Sequence, residues 1–566
     1  MPYDSLTVSI IKLRGKMLFS SMESAARVAS RTQKNLLLRI LRDNSGTEIG
    51  KKLGFPQIRT EDEYRKQVPI HVYEDFEPFI KRMLAGEKSI LTAEDPVMFN
   101  LTSGTSGSPK YIPATKASQR LTAQLTTQWI YRLMRDHPKL LDGKLFAITG
   151  SAVASSSPSG IPVGCTSGMI YKNLPWFVAR KYAVPYAVSD IADYELRYYL
   201  MMRLALASKV SFIATPNPAT LLRMAEIGIR YQDSIIRSIH DGRLWSDAAF
   251  PAINRNDSMT AERDIGQISP DPERARFLSG IIDKYGKLLP SLCWPELEAI
   301  GCWLGGSVGY QADLLPGFYG DKSVMRDLGL LASEGSVTLP HKDRESSGIL
   351  AIQNNYYEFI PEDRIKDACP PTLLCHELEK GRRYYLVLTG PNGLYRYNLN
   401  DLVEIAGFYH QAPELRFITK GQDMVSIAGE KMHPNHFKLA LDKIKADYGC
   451  SVRQFRAIAD VKAQRYEIFV ITDKKYPEQF WARDLLPALD RALGDFNCEY
   501  AHKRKSERLL PPILHIMGKD WEKSILAVEA ARLRQRDVQY KWKQLDLCPH
   551  PADREHIMYS VGVRSV

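Results

Sequence analysis

Phe99-Asn100-Leu101-Thr102-Ser103-Gly104-Thr105-Ser106-Gly107-Ser108-Pro109-Lys110 is the stretch on which the reading of this chain turns. Apolar and β-branched residues lead into it, and Tyr111-Ile112-Pro113-Ala114-Thr115 follows before a long helical pattern begins. Small hydroxyl side chains and two glycines within Ser103-Gly104-Thr105-Ser106-Gly107 let the backbone turn with its N–H groups bare, as a polyphosphate requires. Lys110 can supply a compact positive charge. A Walker A loop would need Gly-x-x-x-x-Gly-Lys-Ser/Thr, whereas here the glycines are three apart, the lysine is three further on and Tyr111 follows it. An ordinary P-loop nucleoside triphosphatase is thereby excluded; a plain surface loop is not excluded by this segment alone.

Downstream, Leu121, Leu125, Trp129 and Leu133 recur every fourth residue and predict a helix with one buried stripe. Its start is expected close to the Ser/Gly loop, where its partial positive charge would add to the loop's donors. Upstream, residues 73–82 read as a short amphipathic segment, and 21–43 as one helix with Leu36, Leu37, Ile40 and Leu41 on a broad apolar face.

Beyond the helix, residues 144–149 read as a strand. The Ser/Gly/Pro-rich run 150–168 that follows is either a surface loop or a pliable wall of a substrate pocket. From 190 to 300 the pattern runs helix (190–208), strand (210–215), helix (219–240), a polar stretch, then another helix and strand, which argues for α/β layers with a partly parallel sheet. Trp303-Leu304-Gly305-Gly306-Ser307-Val308-Gly309-Tyr310 turns sharply at its glycines and leads to Leu330-Leu331-Ala332-Ser333-Glu334-Gly335. One acid among small residues is a candidate Mg²⁺ ligand or a solvated turn glutamate. Strands are expected at 348–352, 356–361 and 383–389. Beyond them, Asp401 could accept ribose hydroxyls and Arg396 could neutralise phosphate, unless the two pair with each other. In the last part, strands at 452–458 and 466–471 and a helix at 477–493 fit a small α+β domain.

At 566 residues the chain is too long for one core, and its 44% hydrophobic, 10% aromatic and 25% charged residues are those of a globular protein rather than a disordered one. The formal net charge of +11 suits nucleic acid, membrane or anionic small molecules. Lys503-Arg504-Lys505 and Arg532-Leu533-Arg534-Gln535-Arg536 lack interleaved aromatics that would stack bases, which favours solvated or ATP-facing surface. The eight cysteines form no Cys-x-x-Cys pair, as expected in a reducing cytoplasm, and no apolar run suggests a signal peptide or a membrane span.

The ordered set Ser103-Gly104-Thr105-Ser106-Gly107 with Lys110 and Pro113, Ala332-Ser333-Glu334, Tyr357-Glu358-Phe359-Ile360-Pro361, and Gly393-Leu394-Tyr395-Arg396-Tyr397 with Asp401 resembles the auxin-responsive-promoter family of acyl-acid amido synthetases, within the adenylate-forming superfamily. Gly429-Glu430-Lys431 is similar to the family's segment after the interdomain hinge, so the resemblance covers roughly residues 73–431. It implies an α/β fold, with a large multi-layer N-terminal adenylate-forming domain over 1–420 and a small mobile α+β lid over 421–566. It also implies ATP and Mg²⁺, a small carboxylic acid and an amine as substrates, and an amide product with release of AMP and pyrophosphate.

Residue by residue, the resemblance assigns ATP to Ser103, Gly104, Thr105, Ser106, Gly107, Ala332, Ser333, Glu334, Arg396, Asp401 and Lys420, with Glu334 on the metal. Lys110 is the expected catalytic lysine of the large domain. Gln539-Tyr540-Lys541 resembles a late Gln-x-Lys element, making Lys541 the expected mobile catalytic lysine. Lys420, Asp423 and Lys431 would lie in the hinge region. Apart from the resemblance, the apolar and aromatic character of the 150–170 and 303–319 stretches makes Val163, Trp303, Gly306, Ser307 and Tyr310 the expected lining of the acid, unless these residues are core. Two departures stand out: Leu330 where an aromatic residue usually packs on adenine, and Asn400-Asp401 where Gly-Asp is usual. A thiol acceptor, and a catalytically inactive basic binding protein, are the alternative functions. A cytoplasmic monomer without nucleic-acid or membrane partners is expected.

Overall fold

The structure is a computed structural model that describes residues 2–102, 110–149, 152–191, 193–245, 262–263, 265–306, 309–421, 425, 427, 430, 432–460, 462–505, 509–533 and 542–562. The chain folds as two compact units, one of Met1–Gly305 with Leu315–Ile418 and the other of Gly306–Leu314 with Thr419–Val566. A single cut at 420/421 therefore does not describe the division. The segment 306–314 belongs with the C-terminal part because Gln311 Nε2 donates to buried Gln454 Oε1 at 3.0 Å and Leu314 packs on that unit's core.

In the first unit, the helix expected over 21–43 is two helices, Pro2–Ala26 and Ala29–Asp43. The backbone leaves helical geometry at Val28 (φ −134°, ψ 46°), and the two pieces have different partners. The first lies on helix Lys116–Asp136, where a Cβ on Gly15 would come within 2.4 Å of Tyr131 Cβ, so only glycine permits the approach. The second helix brings Gln33 to Ile352 O and Asn355 O (2.7 and 2.8 Å) and accepts from the Tyr357 N–H.

Three larger sheets carry this unit. Strands Lys144–Ala147, Val210–Ala214, Ala299–Gly301 and Val324–Arg326 pair in parallel in that order, as the helix–strand alternation predicts. A second sheet has the order Lys110–Ala114, Met98–Thr102, Pro162–Gly164, Val153–Ser156. The third is antiparallel, with the order Thr338–Leu339, Ser347–Leu350, Ala412–Lys420, Tyr397–Tyr409, Arg383–Thr389, Tyr356–Pro361. Phe99, Ile112, Leu133, Leu350, Phe359, Leu388 and Val403, all buried, join helices and sheets into one core.

The C-terminal unit is a five-stranded sheet, order Leu545–Asp546, Gln454–Asp460, Arg465–Ile471, Ile513–Met517, Ile557–Gly562. Helices Pro434–Tyr448 and Leu486–Phe496 bury Phe437, Leu441, Leu489 and Leu493 against it, while Trp521 and Ile525 pack with Phe469 and Ile471 in a second cluster. The helix expected over 477–493 is found with a wide π turn at Trp481–Leu485. Pro487 follows that turn and has no N–H with which to continue the normal ladder, which accounts for the widening.

Candidate functional site

Strands Met98–Thr102 and Lys110–Ala114 form a hairpin whose register runs from Met98 opposite Ala114 to Thr102 opposite Lys110. Phe99 and Ile112, fully buried, clamp this stem in the core. Ser103, Gly104, Thr105, Ser106 and Gly107 lie outside the described residues, between the two described strands of the stem. Lys110 Nζ stands 5.0 Å from the centroid of the Tyr73 ring, and the Tyr73 hydroxyl accepts the Tyr111 N–H at 2.9 Å, so helix Tyr73–Leu84 braces the stem beside the loop.

Helix Lys116–Asp136 does not start at this loop. Its capping box, in which Thr115 Oγ1 accepts from Ser118 N and Ser118 Oγ accepts from Thr115 N, sits past Ala114 at the opposite end of the stem. Four steps of strand at about 3.3 Å each put roughly 13 Å between that start and the loop's end. A helix terminus acts within about one turn, so the expected dipole contribution to the loop is withdrawn.

Ser333 and Glu334 form the two-residue turn between Leu331–Ala332 and Gly335–Ser336. Asn100, on the strand leading into the loop, reaches Ser333 O with Nδ2 at 3.4 Å and accepts from Thr166 Oγ1 at 2.6 Å. Asn392 Nδ2 donates to Glu334 O at 3.0 Å. The Tyr397 hydroxyl meets Glu334 Oε1 at 3.4 Å, and burial first, then the nearby Glu334 charge, push the phenol's pKa well up, so it stays protonated and donates. A Cβ on Gly335 would come within 2.8 Å of Asn355 Nδ2, which explains the glycine after the acid.

The turn thus holds Glu334 beside the stem of the Ser/Gly loop. Among the described residues its carboxylate meets only the Tyr397 hydroxyl, and no group of three or more His, Cys, Asp or Glu side chains could hold a metal by itself. One carboxylate with open lone pairs, completed by phosphate oxygens, is the donor set that Mg²⁺ on a nucleotide takes, so the residues present fit that ion. Asn392 Oδ1, buried and without a hydrogen-bond partner among the described residues, is a further polar atom at this turn.

Asp401 is 3% exposed and lies within strand Tyr397–Tyr409. Leu399, Asn400 and Asp401 fall between the pairs Val387–Asn398 and Tyr385–Leu402, opposite Leu386 alone, so the strand bulges here. Asn400, at φ +56°, occupies the left-handed region that Asn tolerates and Gly prefers, and its N–H is held by Asn398 Oδ1 at 2.8 Å. Asp401 lies four residues along the same strand from Tyr397, whose hydroxyl meets Glu334.

Arg396 does not face a phosphate, nor does it pair with Asp401. Its Nε and Nη2 grip the two oxygens of Glu358 at 3.0 and 2.8 Å; Nη2 also reaches Thr372 Oγ1 (3.2 Å), and Nη1 reaches Arg65 O (2.8 Å) and Val68 O (2.6 Å). All five N–H groups of the guanidinium are used. Arg396 and Glu358 are both buried, so the pair is an internal brace between the third sheet and the end of helix Glu61–Gln67.

Around Trp303, the parallel sheet ends in Cys302–Gly305 and Asp327–Gly329, at the carboxyl edge where open α/β sheets bind ligands. Trp303, half-buried, donates Nε1–H to Gly329 O at 3.0 Å. Asp327, almost wholly buried, accepts Leu304 N–H (2.7 Å) and Gly329 N–H (2.6 Å), tying the two turns together. Thr215, at the same edge, has a buried hydroxyl without a partner among the described residues. Val163 is a core residue paired with Phe99 in register, not a wall side chain. Gly306 (φ +62°) and Tyr310 lie on the segment belonging to the C-terminal unit; Ser307 and the Tyr310 side chain are outside the described residues.

Burial pushes Asp327 up to about 6 despite its backbone donors, so the folded state favours its protonated form. Stability from this group is full below the unfolded carboxyl value near 4 and is lost as pH rises through about 6, roughly 3 kcal/mol in total. The stability of the parent minus that of Asp327→Asn is expected to fall between pH 4 and 6.5 and then level off, as read by urea denaturation at each pH.

In the C-terminal unit the side chain of Lys420, and Asp423, Lys431 and Lys541 altogether, lie outside the described residues. Glu430, fully buried, accepts from the Tyr466 hydroxyl (2.6 Å) and Ile427 N–H (2.8 Å), which anchors the segment preceding Lys431. Asn100, Asn392 and Tyr397 are the site residues that sequence reasoning passed over. Asn100 and Tyr397 stood inside quoted motifs, but which polar side chain faces the turn depends on pairing between distant strands.

Residues 18–324 match the GH3 family N-terminal domain and residues 348–420 the GH3 family central domain. The chain is 26% identical to jasmonoyl–L-amino acid synthetase JAR4 of Nicotiana attenuata, over 84% of this chain and 85% of the relative. It is 27% identical to indole-3-acetic acid-amido synthetase GH3.10 of Arabidopsis thaliana, over 78% and 80%. Its fold is that of the GH3.15 acyl acid amido synthetase, with a TM-score of 0.83 over 97% of both chains at 19% identity. With two consecutive domains of one family matched in order over more than half its length, the chain belongs to the GH3 family.

Proposed function

We propose that this chain is an ATP-dependent acyl-acid amido synthetase. The observation that carries the reading is the turn bearing Glu334, held against the stem of the hydroxyl-rich loop through Asn100 and Ser333. Family membership and relatives named as amino-acid and indole-acetate conjugating synthetases support it.

In the first half-reaction the acid's carboxylate attacks the α-phosphate of ATP, forming an acyl-adenylate and pyrophosphate. In the second, an amine, taken to be that of an amino acid, attacks the acyl carbon and AMP leaves. Charge grows on the phosphorus oxygens, and fixed donors that need no reorganisation are what lower that barrier. Ser103, Gly104, Thr105, Ser106 and Gly107 supply backbone and hydroxyl donors, and Lys110 the positive charge. Glu334 would hold Mg²⁺, which neutralises phosphate charge. Ala332 and Ser333 shape the turn, and Asp401 holds the ribose. Lys541 and Lys420 are the lysines proposed to act from the C-terminal unit. Trp303, with Gly306, Ser307 and Tyr310, is assigned to an apolar or aromatic acid. On this reading the enzyme works as a monomer in the cytoplasm, the compartment being in keeping with seven described cysteines that form no disulfide.

The test is ATP–pyrophosphate exchange over a panel of carboxylic acids, followed by mass spectrometry of products formed with pooled amino acids. Exchange with at least one acid and an acyl–amino acid amide are expected. Absence of exchange with every acid would sink the reading, and a coenzyme A thioester in place of an amide would move it to the thiol-acceptor class.

A further inference from the structure

Helix Pro2–Ala26 has two apolar faces where a surface helix normally has one. Val8, Ile11, Gly15, Phe19 and Met22 face inward; Phe19 meets the Tyr131 ring at 6.0 Å, and Gln128 Nε2 donates to Leu18 O at 3.2 Å. Ile10, Leu13 and Met17, at helical spacing on the opposite side, are 51%, 64% and 67% exposed. Lys12, Arg14 and Lys16 are exposed as well. At about 100° per residue, Lys12 and Lys16 fall on one flank of the apolar stripe and Arg14 on the other.

A neighbouring element carries a further exposed aromatic. The short helix Trp176–Ala179 packs against the same long helix; Trp176 is 65% exposed, with the Arg180 guanidinium 5.7 Å from its ring centroid. Leu13, Met17 and Trp176 are three of the four described large apolar side chains more than 55% exposed, the fourth being Met558. Single exposed apolar residues are ordinary; Ile10, Leu13 and Met17 on one stripe flanked by Lys12, Lys16 and Arg14 are not.

We propose that this face docks peripherally on an anionic lipid bilayer. Apolar side chains would enter the headgroup boundary, the indole would sit at the interface, and Lys12, Arg14, Lys16 and Arg180 would meet the negative surface. A second copy of the chain would bring the same positive charges together, which disfavours self-association here. No described helix is long and apolar enough to cross a membrane, so the helix lies on the surface rather than spanning it. The sequence expectation of no membrane partner rested on the lack of a long apolar run, which a surface-lying helix does not require. The inference is independent of the amido synthetase reading.

The experiment is co-sedimentation of the full chain with vesicles of phosphatidylcholine alone and of phosphatidylcholine with phosphatidylserine. Partitioning onto the anionic vesicles is expected to exceed that onto neutral ones about tenfold and to fall several-fold when salt is raised from about 50 to about 500 mM. Leu13→Glu/Met17→Glu is expected to lose binding about tenfold, and Lys12→Glu/Lys16→Glu comparably, with circular dichroism and Tm unchanged because these side chains are exposed. Equal binding of parent and both variants, or no binding to anionic vesicles, overturns the proposal. So does a parent dimer that the Leu13→Glu/Met17→Glu variant dissolves, which would make a second copy the occupant.

Discussion

Glu334→Gln is expected to lower ATP–pyrophosphate exchange by about 10²-fold or more while leaving the fold intact. The carboxylate sits on a two-residue turn whose backbone is held from outside, by Asn100 at Ser333 O and Asn392 at Glu334 O. Glutamine keeps the length and the Tyr397 hydrogen bond and removes only the charge. A group that stabilises charge developing on a phosphate is worth about 3–4 kcal/mol when deleted from a pre-organised site. Stability should move by less than about 0.5 kcal/mol, since Glu334 is half-exposed and forms no ion pair among the described residues. Partial recovery of exchange at raised Mg²⁺ would identify the loss as one of metal affinity. Unchanged exchange across a Mg²⁺ titration would show that the acid is a solvated turn residue.

Arg396→Met should unfold the large unit far more readily, by about 3–5 kcal/mol in denaturant titration. Removing one member of a buried pair leaves the other as an uncompensated charge, and here Glu358 is 1% exposed. The carbonyls of Arg65 and Val68 also lose their donors. Replacing both members, in Arg396→Met/Glu358→Leu, should recover much of that loss, because an apolar pair has no charge to desolvate. A phosphate-binding arginine would behave in the opposite way, raising KM for ATP at nearly normal stability. That second pattern would overturn the assignment of Arg396 as a brace.

Local pattern carried much of the architecture. Four-residue spacing from Leu121 marked helix Lys116–Asp136, the apolar run at 383–389 is the strand Arg383–Thr389, and helix–strand alternation foretold the parallel sheet. These signals survive because burial imposes a period on side chains within one element, whatever that element touches. The site was legible as residue types in order: a hydroxyl-rich loop, an acid among small residues, a second acid near a turn. Which way the chain runs between them was not. Helix Lys116–Asp136 stands at the wrong end of the hairpin to serve the loop because strand Lys110–Ala114 intervenes.

By itself, then, the sequence determined many of the longer elements, the α/β class and the family, since those depend on short-range periodicity and on motif order, but not the break at Val28 or the strands within 150–168. Tertiary structure alone decided that Arg396 belongs to Glu358, that Asn100 and Asn392 hold the Glu334 turn, that Val163 is core, and that 306–314 packs with the C-terminal unit. Each of those outcomes depends on strand register and long-range contact, where several charged or apolar partners of equal local merit compete and only the folded geometry chooses among them.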